Sequence, residues 1–563
     1  MDPTLREQLV RAIGEVDGPP ANRFEARRRA RRAAEAAEAL LRSEGYYQPV
    51  IEDIVEGDEA PTAIISITVG RRFTLAPAEV EWMQTSPDAA SDAGVRTEIG
   101  LTPGEPGRAV DVIAAEGRIV AGLSRRGYAD ASAGPRRVVV DHAAFSVQPT
   151  YHIDPGRLVL LDGVRLETEG PTNPRWVANL VPWAEGARYD PEQVAELERR
   201  LLETGVYDGV GVALAPRDQT DAQGRRPVIV TLTDRPRRIL EAGATFSTAE
   251  GSGLDVIWTH YNRFGRADTL RYQGRLANVD SRLGVDLSLP HWRGAGRTLK
   301  LAAAVVDENT DAYLRTALTL SADLQQRMGR TSWFSYGLGL DAGQYTENRF
   351  DPLTSLPIGF DRDLVILTGR ASVYIDQSND PLNPTTGWRV SGSLQPTAVS
   401  GEDSVVFVRA EGQATGYLPL EANARTVLAG RARLGTILGG AELTVPSDRL
   451  FYSGGGGSVR GYEYQGVSER LPNNKPRGGL SLFEASVEVR RDLGRNFGVV
   501  GFVDAGAVGF QEAPDFSNLR YGAGIGVRYN LPFGPIRADI AVPLDKRDGD
   551  ADFQIYVSIG QAF

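Results

Sequence analysis

Residues 553–563 read Phe553-Gln-Ile-Tyr-Val-Ser-Ile-Gly-Gln-Ala-Phe563. One parity of this stretch holds its strongly apolar residues, and the other includes Gln554, Ser558 and Gly560. The pattern is that of a strand with one apolar face, about long enough to cross a bilayer when tilted. A soluble protein rarely carries such a long apolar edge, because it promotes aggregation. The stretch therefore predicts the closing strand of an outer-membrane β-barrel, with an apolar face formed by Phe553, Ile555, Val557, Ile559 and Phe563.

The composition agrees with a barrel of an oxidising envelope compartment. The chain has 563 residues, 63 glycines and no cysteine, and its mean hydropathy is −0.26. It contains no run of eighteen apolar residues, which excludes transmembrane helices, whereas alternation hides the hydrophobicity of a barrel. The net charge of −11 argues against nucleic-acid binding.

The first 240 residues carry a domain-sized repeat. Helical patterns end on Gly45, Gly127 and Gly205, each preceded by Leu-x3 and followed by two strand-like runs. The spacing of about 80 residues is too long for a solenoid repeat. A strand precedes the helices in the second and third units, so the predicted unit is β-α-α-β-β. The predicted α+β domains are residues 1–72, 73–156 and 157–238.

The first unit begins directly in a helical pattern at Leu5, so its opening strand is missing. Met1-Asp-Pro-Thr also lacks the apolar core of a signal peptide, although an outer-membrane protein must be exported. Both features lead us to expect a truncated N-terminus.

Residues 239–563 show strand periodicity. Leu254, Val256 and Trp258 alternate with Asp255 and Thr259, and similar runs recur to the end of the chain. About 320 residues, at roughly 20 per strand and turn, allow about sixteen antiparallel strands, an even number as such barrels require.

One segment contains an arginine that would need carboxylate partners if it lay inside the barrel. Val459-Arg460-Gly461-Tyr462 follows the glycine run 454–457 between two predicted strands. Arginine is permanently charged and offers five donors. Strand parity points Glu488 and Asp504 to the lumen, where they could pair with it. The competing interpretation is a solvated arginine on an extracellular loop.

This segment resembles the Val-Arg-Gly-aromatic motif of the outer-membrane assembly and transport superfamily that includes BamA, TamA and the two-partner secretion pores. The resemblance implies that the loop folds into the barrel and that Arg460 pairs with acidic residues at matching positions. It also identifies the repeats as periplasmic polypeptide-transport-associated (POTRA) domains. Supporting matches are Phe502–Gly506, Gly478-Gly479 with Ser486–Glu488, Asp380–Gly387 and Pro532–Asp539.

The sequence gives little support for phosphate binding, hydrolytic catalysis or a metal site. The glycine run lacks the Lys-Ser/Thr of a phosphate loop, and no Gly-x-Ser-x-Gly elbow occurs. The four histidines, His142, His152, His260 and His291, lack metal-ligand spacing. The arginine-rich stretch 27–32 fits a solvated helix face better than a site for acidic partners or lipid headgroups. We expect no catalytic residue, no metal and no cofactor.

Three POTRA domains on about 560 residues resemble TamA more than BamA-type chains, which generally carry five. The resemblance implies assembly of proteins, autotransporters in particular, into the outer membrane of a Gram-negative bacterium, with intermembrane lipid transport as a further option. The implied partners are unfolded outer-membrane protein clients, the lipid bilayer and a TamB-like, inner-membrane-anchored protein that spans the periplasm.

The seam between the first and last barrel strands is the predicted client path. The first strand, near 241–247, is short and rich in Gly, Ala and Thr, so its pairing with the last strand should be weak. The seam residues are Ala244, Ser558 and Gly560. The main alternative is a two-partner secretion translocator that exports a single exoprotein, for which we expect two periplasmic domains and a plug helix. A passive porin would gain nothing from the repeats.

Overall fold

A computed structural model describes residues 2–14, 18–58, 60–247, 251–329, 331–350, 357–402, 404–531, 534–559, 561 and 563. The chain divides into two compact units. The first comprises residues 1–167, 177–199 and 210–231, and the second comprises residues 168–176, 200–209 and 232–563. Among the residues described, no helix is both long enough and apolar enough to span a membrane.

The first repeat packs two helices on a β-hairpin. Helix α2 begins after Asn22, whose side chain accepts a hydrogen bond from the Glu25 N–H and so caps the helix. Gly45 follows the helix with φ +92°, a conformation that favours glycine. The small core consists of Leu5, Leu9, Ala37 and Leu41. The elements are α1 (Pro3–Ile13), α2 (Arg23–Ser43), β1 (Val50–Glu56) and β2 (Thr62–Thr68).

The second repeat opens with two short strands instead of the single strand that was predicted. Pro77, which cannot donate a backbone hydrogen bond, lies between two short strands where one was predicted. The central strand, β7, is parallel to both of these and antiparallel to β5 and β6. The elements are β3 (Thr74–Leu75), β4 (Glu79–Trp82), α3 (Ala89–Glu98), α4 (Ala109–Ser124), β5 (Ser132–Ala133), β6 (Arg137–Asp141) and β7 (Ser146–Asp154).

The third repeat follows the predicted β-α-α-β-β order, with its last strand in the middle of the sheet. The sheet order is β8-β10-β9. The elements are β8 (Leu160–Thr168), α5 (Pro174–Ala178), α6 (Pro191–Leu202), β9 (Tyr207–Leu214) and β10 (Arg225–Asp234).

The described residues from Arg238 onward form one sheet of sixteen antiparallel strands, each paired with its neighbours in sequence. This confirms the predicted fold class and strand number. The strands are β11 (Arg238–Ser247), β12 (Gly251–Tyr261), β13 (Thr269–Ala277), β14 (Asp280–Pro290), β15 (Arg297–Asn309), β16 (Tyr313–Arg327), β17 (Trp333–Phe350), β18 (Pro357–Asp376), β19 (Gly387–Ser400), β20 (Val405–Pro419), β21 (Thr426–Leu438), β22 (Ser481–Gly494), β23 (Phe497–Gly509), β24 (Arg520–Leu531), β25 (Gly534–Pro543) and β26 (Gln554–Ile559).

The two ends of this sheet come together without a described ladder. Strand β11 has ten residues, more than predicted, and pairs with β12 along its whole length. Strand β26 has six residues and pairs with β25. Some Cα atoms of β26 lie within 8 Å of β11, so the sheet curls into a barrel. Within the described residues of these two strands, no hydrogen-bonded ladder joins them.

The prediction that the last strand runs to Phe563 is wrong. The described strand ends at Ile559, and Phe563 faces the lumen instead of the outer surface. The Phe563 main-chain oxygen accepts a hydrogen bond from Arg490 (3.1 Å), and its ring centroid lies 5.1 Å from the Arg490 guanidinium. Because of these contacts the end of the chain turns inward, and Phe563 does not continue the row of outward-facing side chains on β26. The ring also packs against Tyr417, Val427 and Ala429.

Candidate functional site

The segment between β21 and β22, residues 439–480, folds back into the barrel. We call it the inward loop. At its tip Arg460 is only 2% exposed. The neighbouring Gly461 has φ +102°, and a Cβ there would lie 2.6 Å from the Val542 carbonyl oxygen. Glycine therefore lets the loop backbone approach β25 closely enough to bury the arginine.

Arg460 is held by the two acids that strand parity pointed to the lumen. Asp504, on β23, accepts hydrogen bonds from the Arg460 main-chain N–H (3.1 Å), Nε (2.7 Å) and Nη2 (2.9 Å). Glu488, on β22, accepts from Nη1 at 2.7 Å. The guanidinium carbon also lies 3.4 Å from the centroid of the Phe502 ring. The site is a buried, multiply bonded charge cluster, in which each charged group has a partner.

Sequence reasoning missed one member of the cluster. Asp539, on β25, accepts from Arg460 Nη1 at 3.4 Å and also pairs with Arg528. The parity that placed Glu488 in the lumen could have found it, because Asp539 alternates with exposed Ile540. The cluster therefore connects the inward loop to β22, β23 and β25.

The other residues of the Val459–Tyr462 motif are buried as well. A Cβ at Gly506 of β23 would lie 2.6 Å from a Val459 methyl carbon, so this glycine makes room for the valine. The Tyr462 hydroxyl donates to the main-chain oxygen of Tyr521 at 3.1 Å. The motif thus packs as a unit against β23 and β24.

A second acid anchors the glycine run. Glu484, on β22, accepts hydrogen bonds from the hydroxyls of Ser453 (2.9 Å) and Ser458. Arg431, on β21, donates to the carbonyl oxygens of Gly457 (2.8 Å) and Ser458 (2.9 Å). The run 454–457 is therefore tied down at both ends, although neither anchor was predicted.

The first part of the inward loop is fixed to the opposite wall. Glu347, on β17, pairs with Arg362 and accepts from the main-chain N–H of Ser447. Asp341 of the same strand pairs with Arg315 at 3.1 Å and with Arg449. Beside these ion pairs lies an apolar cluster that includes Phe407, Ile437, Val445, Leu450, Phe451 and Leu482. The loop therefore bridges the barrel interior.

Two of the predicted seam residues, Ala244 and Ser558, make their described contacts with residues other than Arg460. Ile555 and Val557 face outward, with 42% and 57% exposure, whereas the Ser558 hydroxyl accepts from Arg537. Ala244 pairs with Leu254 in the ladder between β11 and β12. Gly560 lies outside the described residues. One residue of β26 that was not predicted, Tyr556, does contact the inward loop.

No metal site emerges from the described part of the chain, where no three His, Cys, Asp or Glu side chains are grouped to hold an ion. His291, for example, makes a hydrogen bond with the Arg200 carbonyl oxygen (2.9 Å). In the arginine-rich stretch, Arg29 and Arg31 form helical ion pairs with Glu25 and Glu35. These contacts are structural.

Comparison with known proteins settles the family. Residues 262–563, more than half of the chain, match the Omp85 superfamily domain. The chain belongs to the Omp85 superfamily. This Omp85 chain is therefore an outer-membrane protein of a Gram-negative bacterium, with POTRA domains in the periplasm and a membrane-embedded barrel.

Two curated relatives are outer membrane protein assembly factors named BamA. The protein of Nitratidesulfovibrio vulgaris is 23% identical over 431 residues, which cover 74% of this chain and 53% of that protein. The protein of Neisseria meningitidis serogroup B is 21% identical, covering 93% of this chain and 72% of that protein. The Omp85 chain thus spans about half of the length of the first of these relatives.

The fold has a close counterpart among solved structures. The crystal structure of BamA from Haemophilus ducreyi lacking POTRA domains 1–3 superposes with a TM-score of 0.70 at 20% identity. The match covers 86% of this chain and 99% of that one. At this identity the likeness concerns the fold.

Proposed function

We propose that this Omp85 chain assembles proteins into the outer membrane as a TamA-like factor, with autotransporters among its clients. The observation that carries the proposal is the junction between β11 and β26, as described over residues 238–247 and 554–559. Every other neighbouring pair of barrel strands has a described ladder, whereas these two are adjacent without one. A strand edge that is not fully paired can accept an extended client segment through backbone hydrogen bonds.

The inward loop supports the same mechanism. Its charge cluster holds β22, β23 and β25 together from inside. The lumen is also crossed by the ion pairs and the apolar cluster around Phe451. In this proposal the client uses the seam, because the inward loop occupies part of the lumen.

The periplasmic domains would receive partners. The hairpin of β1 and β2 pairs with no other strand among the described residues, so its edges are available for strand addition. In this proposal the first two POTRA domains dock a TamB-like, inner-membrane-anchored partner, and the third controls access to the barrel. Intermembrane lipid transport would use the same partner.

A seam-locking experiment tests the proposal. The chain has no native cysteine, so Ala244→Cys with Ser558→Cys introduces one defined pair, which can bridge if the Cα atoms come within about 7 Å. The matched control is Ala303→Cys with Leu320→Cys, two directly paired positions of β15 and β16. We expect the locked seam to abolish client insertion into proteoliposomes, reduction to restore it, and the control disulfide to have no effect.

Full insertion activity with a verified seam disulfide would contradict strand addition at the seam. Purification from native membranes separates the proposal from its rival. A large inner-membrane-anchored partner supports the TamA-like role, whereas a single secreted exoprotein would favour a two-partner secretion translocator.

A further inference from the structure

A tyrosine connects strand β26 to the inward loop inside the barrel. Tyr556 lies in the middle of β26 and is 4% exposed. Its hydroxyl accepts a hydrogen bond from the Gly461 N–H (3.1 Å) and donates one to the Tyr462 carbonyl oxygen (3.0 Å). Both partners belong to the motif at the tip of the inward loop. The last strand is therefore bonded directly to that tip.

The tyrosine ring makes a second contact with the loop. A Cβ at Gly456 would lie 2.8 Å from a Tyr556 ring carbon, so the glycine run leaves the space that the ring fills. The ring also packs with Val500, Phe502 and Ala541. Phe502 is also the ring beneath the Arg460 guanidinium. Tyr556 thus touches the loop at two points and shares a neighbour with Arg460.

The strand register brings Tyr556 into the charge cluster as well. Tyr556 is directly opposite Asp539 in the ladder between β25 and β26, and Asp539 accepts from Arg460. A displacement of the loop tip would disturb the hydroxyl, the ring and this neighbouring acid together. Buried hydrogen bonds in such a network are expected to depend on one another.

We propose that Tyr556 is a positioning residue that couples the inward loop to the seam strand. While Arg460 sits on Asp504 and Glu488, Tyr556 fixes β26; when the loop tip moves, β26 is released to pair with another strand. The role of this coupling in client insertion rests on the proposed function, whereas the coupling itself is a property of the barrel alone.

Amide hydrogen exchange of the full chain in lipid nanodiscs, without any client, tests the coupling. Tyr556→Phe keeps the ring and removes the hydroxyl. We expect exchange of the peptide that covers Gln554–Ile559 to become about tenfold faster, because two buried hydrogen bonds are lost. The matched control is Tyr336→Phe, on the exposed face of β17, which should leave this peptide unchanged. Heat-shifted migration on semi-native gels confirms that each barrel is folded.

A double-mutant cycle then asks whether loop and strand act together. Arg460→Gln should also accelerate exchange of the β26 peptide, and adding Tyr556→Phe should produce little further change. Wild-type exchange in Tyr556→Phe would overturn the coupling. So would a double variant in which the exchange rate of the β26 peptide rises by the product of the two single increases.

Client insertion measured on the same variants separates the two proposals. If exchange is faster in variants that insert clients as well as the wild type does, the coupling is supported. The same result would count against insertion at the seam. Unchanged exchange would overturn the coupling and leave the seam-locking test of function intact.

Discussion

The Asp504 carboxylate accepts three hydrogen bonds from Arg460, one from the main-chain N–H of the arginine and two from its side chain. A contact to the guanidinium alone would fix the charge but not the path of the loop. The bond to the main-chain N–H fixes the loop backbone as well. Withdrawing the loop would leave Asp504 and Glu488 buried and without this partner, which is why the closed arrangement is favoured.

Removing either partner should destabilise the barrel. Arg460→Ala leaves the carboxylates of Asp504 and Glu488 without this guanidinium, and such losses typically cost about 3–5 kcal/mol. Asp504→Ala should behave similarly. We expect a lower temperature of barrel unfolding on semi-native gels and loss of insertion activity.

The matched control for this prediction is another ion pair of the inward loop. Arg477 pairs with Glu442 but is 30% exposed, so Arg477→Ala should cost less. If Arg460→Ala and Asp504→Ala both unfold at the wild-type temperature, the charge cluster contributes nothing to stability.

The glycine run should depend on Glu484. Glu484→Gln keeps the shape of the side chain and removes its charge, which weakens its bonds to Ser453 and Ser458; hydrogen bonds to charged groups are worth about 1.5–3 kcal/mol. We expect faster amide exchange in residues 453–458, measured by mass spectrometry. Glu469→Gln, at an exposed position of the same loop, is the control, and equal exchange in both variants would exclude this anchor.

Much of this site could be predicted from alternation alone. The parity of Val487 and Val503 was enough to point Glu488 and Asp504 into the lumen, and the glycines beside Arg460 indicated a loop that could turn inward. Tyr556 could not be found in this way, because its partners are backbone atoms nearly a hundred residues away. Phe563 was misplaced, since its contacts with Arg490 outweigh the alternation that the sequence shows.

The first unit contains a pH-sensitive ion pair. Asp130 accepts hydrogen bonds from both terminal nitrogens of Arg226 (3.0 and 2.6 Å), whose side chain is 4% exposed. The hydrogen bonds from Arg226 lower the pKa of Asp130, although burial opposes them. A lowered pKa stabilises the fold above the unfolded-state pKa of about 3.9, and this contribution is lost as the pH falls through the folded-state value.

Asp130→Asn should therefore destabilise the periplasmic domains at neutral pH, by about 1.5–3 kcal/mol. Urea unfolding of the full chain, followed by tryptophan fluorescence, should show this difference at pH 7 and a smaller one as the pH falls below 4. Asp162→Asn, at an exposed position, should match the wild type. A difference that stays constant with pH would show that charge is not its cause.

Deleting residues 1–72 should separate partner binding from barrel folding. The first repeat has its own core around Leu5, Leu9 and Leu41, so its loss should leave the sixteen-stranded sheet intact. We expect wild-type heat-shifted migration on semi-native gels together with weaker capture of the inner-membrane-anchored partner. Failure of the truncated chain to insert its barrel would show that this repeat serves folding instead of docking.

The unequal lengths of the two seam strands have a consequence for the membrane itself. Strand β11 has ten residues and the described β26 has six, so full register over the described residues would leave four residues of β11 without partners on β26. Hydrocarbon cannot satisfy their backbone groups, each of which would cost several kcal/mol there. Where these backbone groups lie at the depth of the hydrocarbon, water or headgroups have to reach them. The proposed seam would then hydrate the bilayer locally before any client arrives.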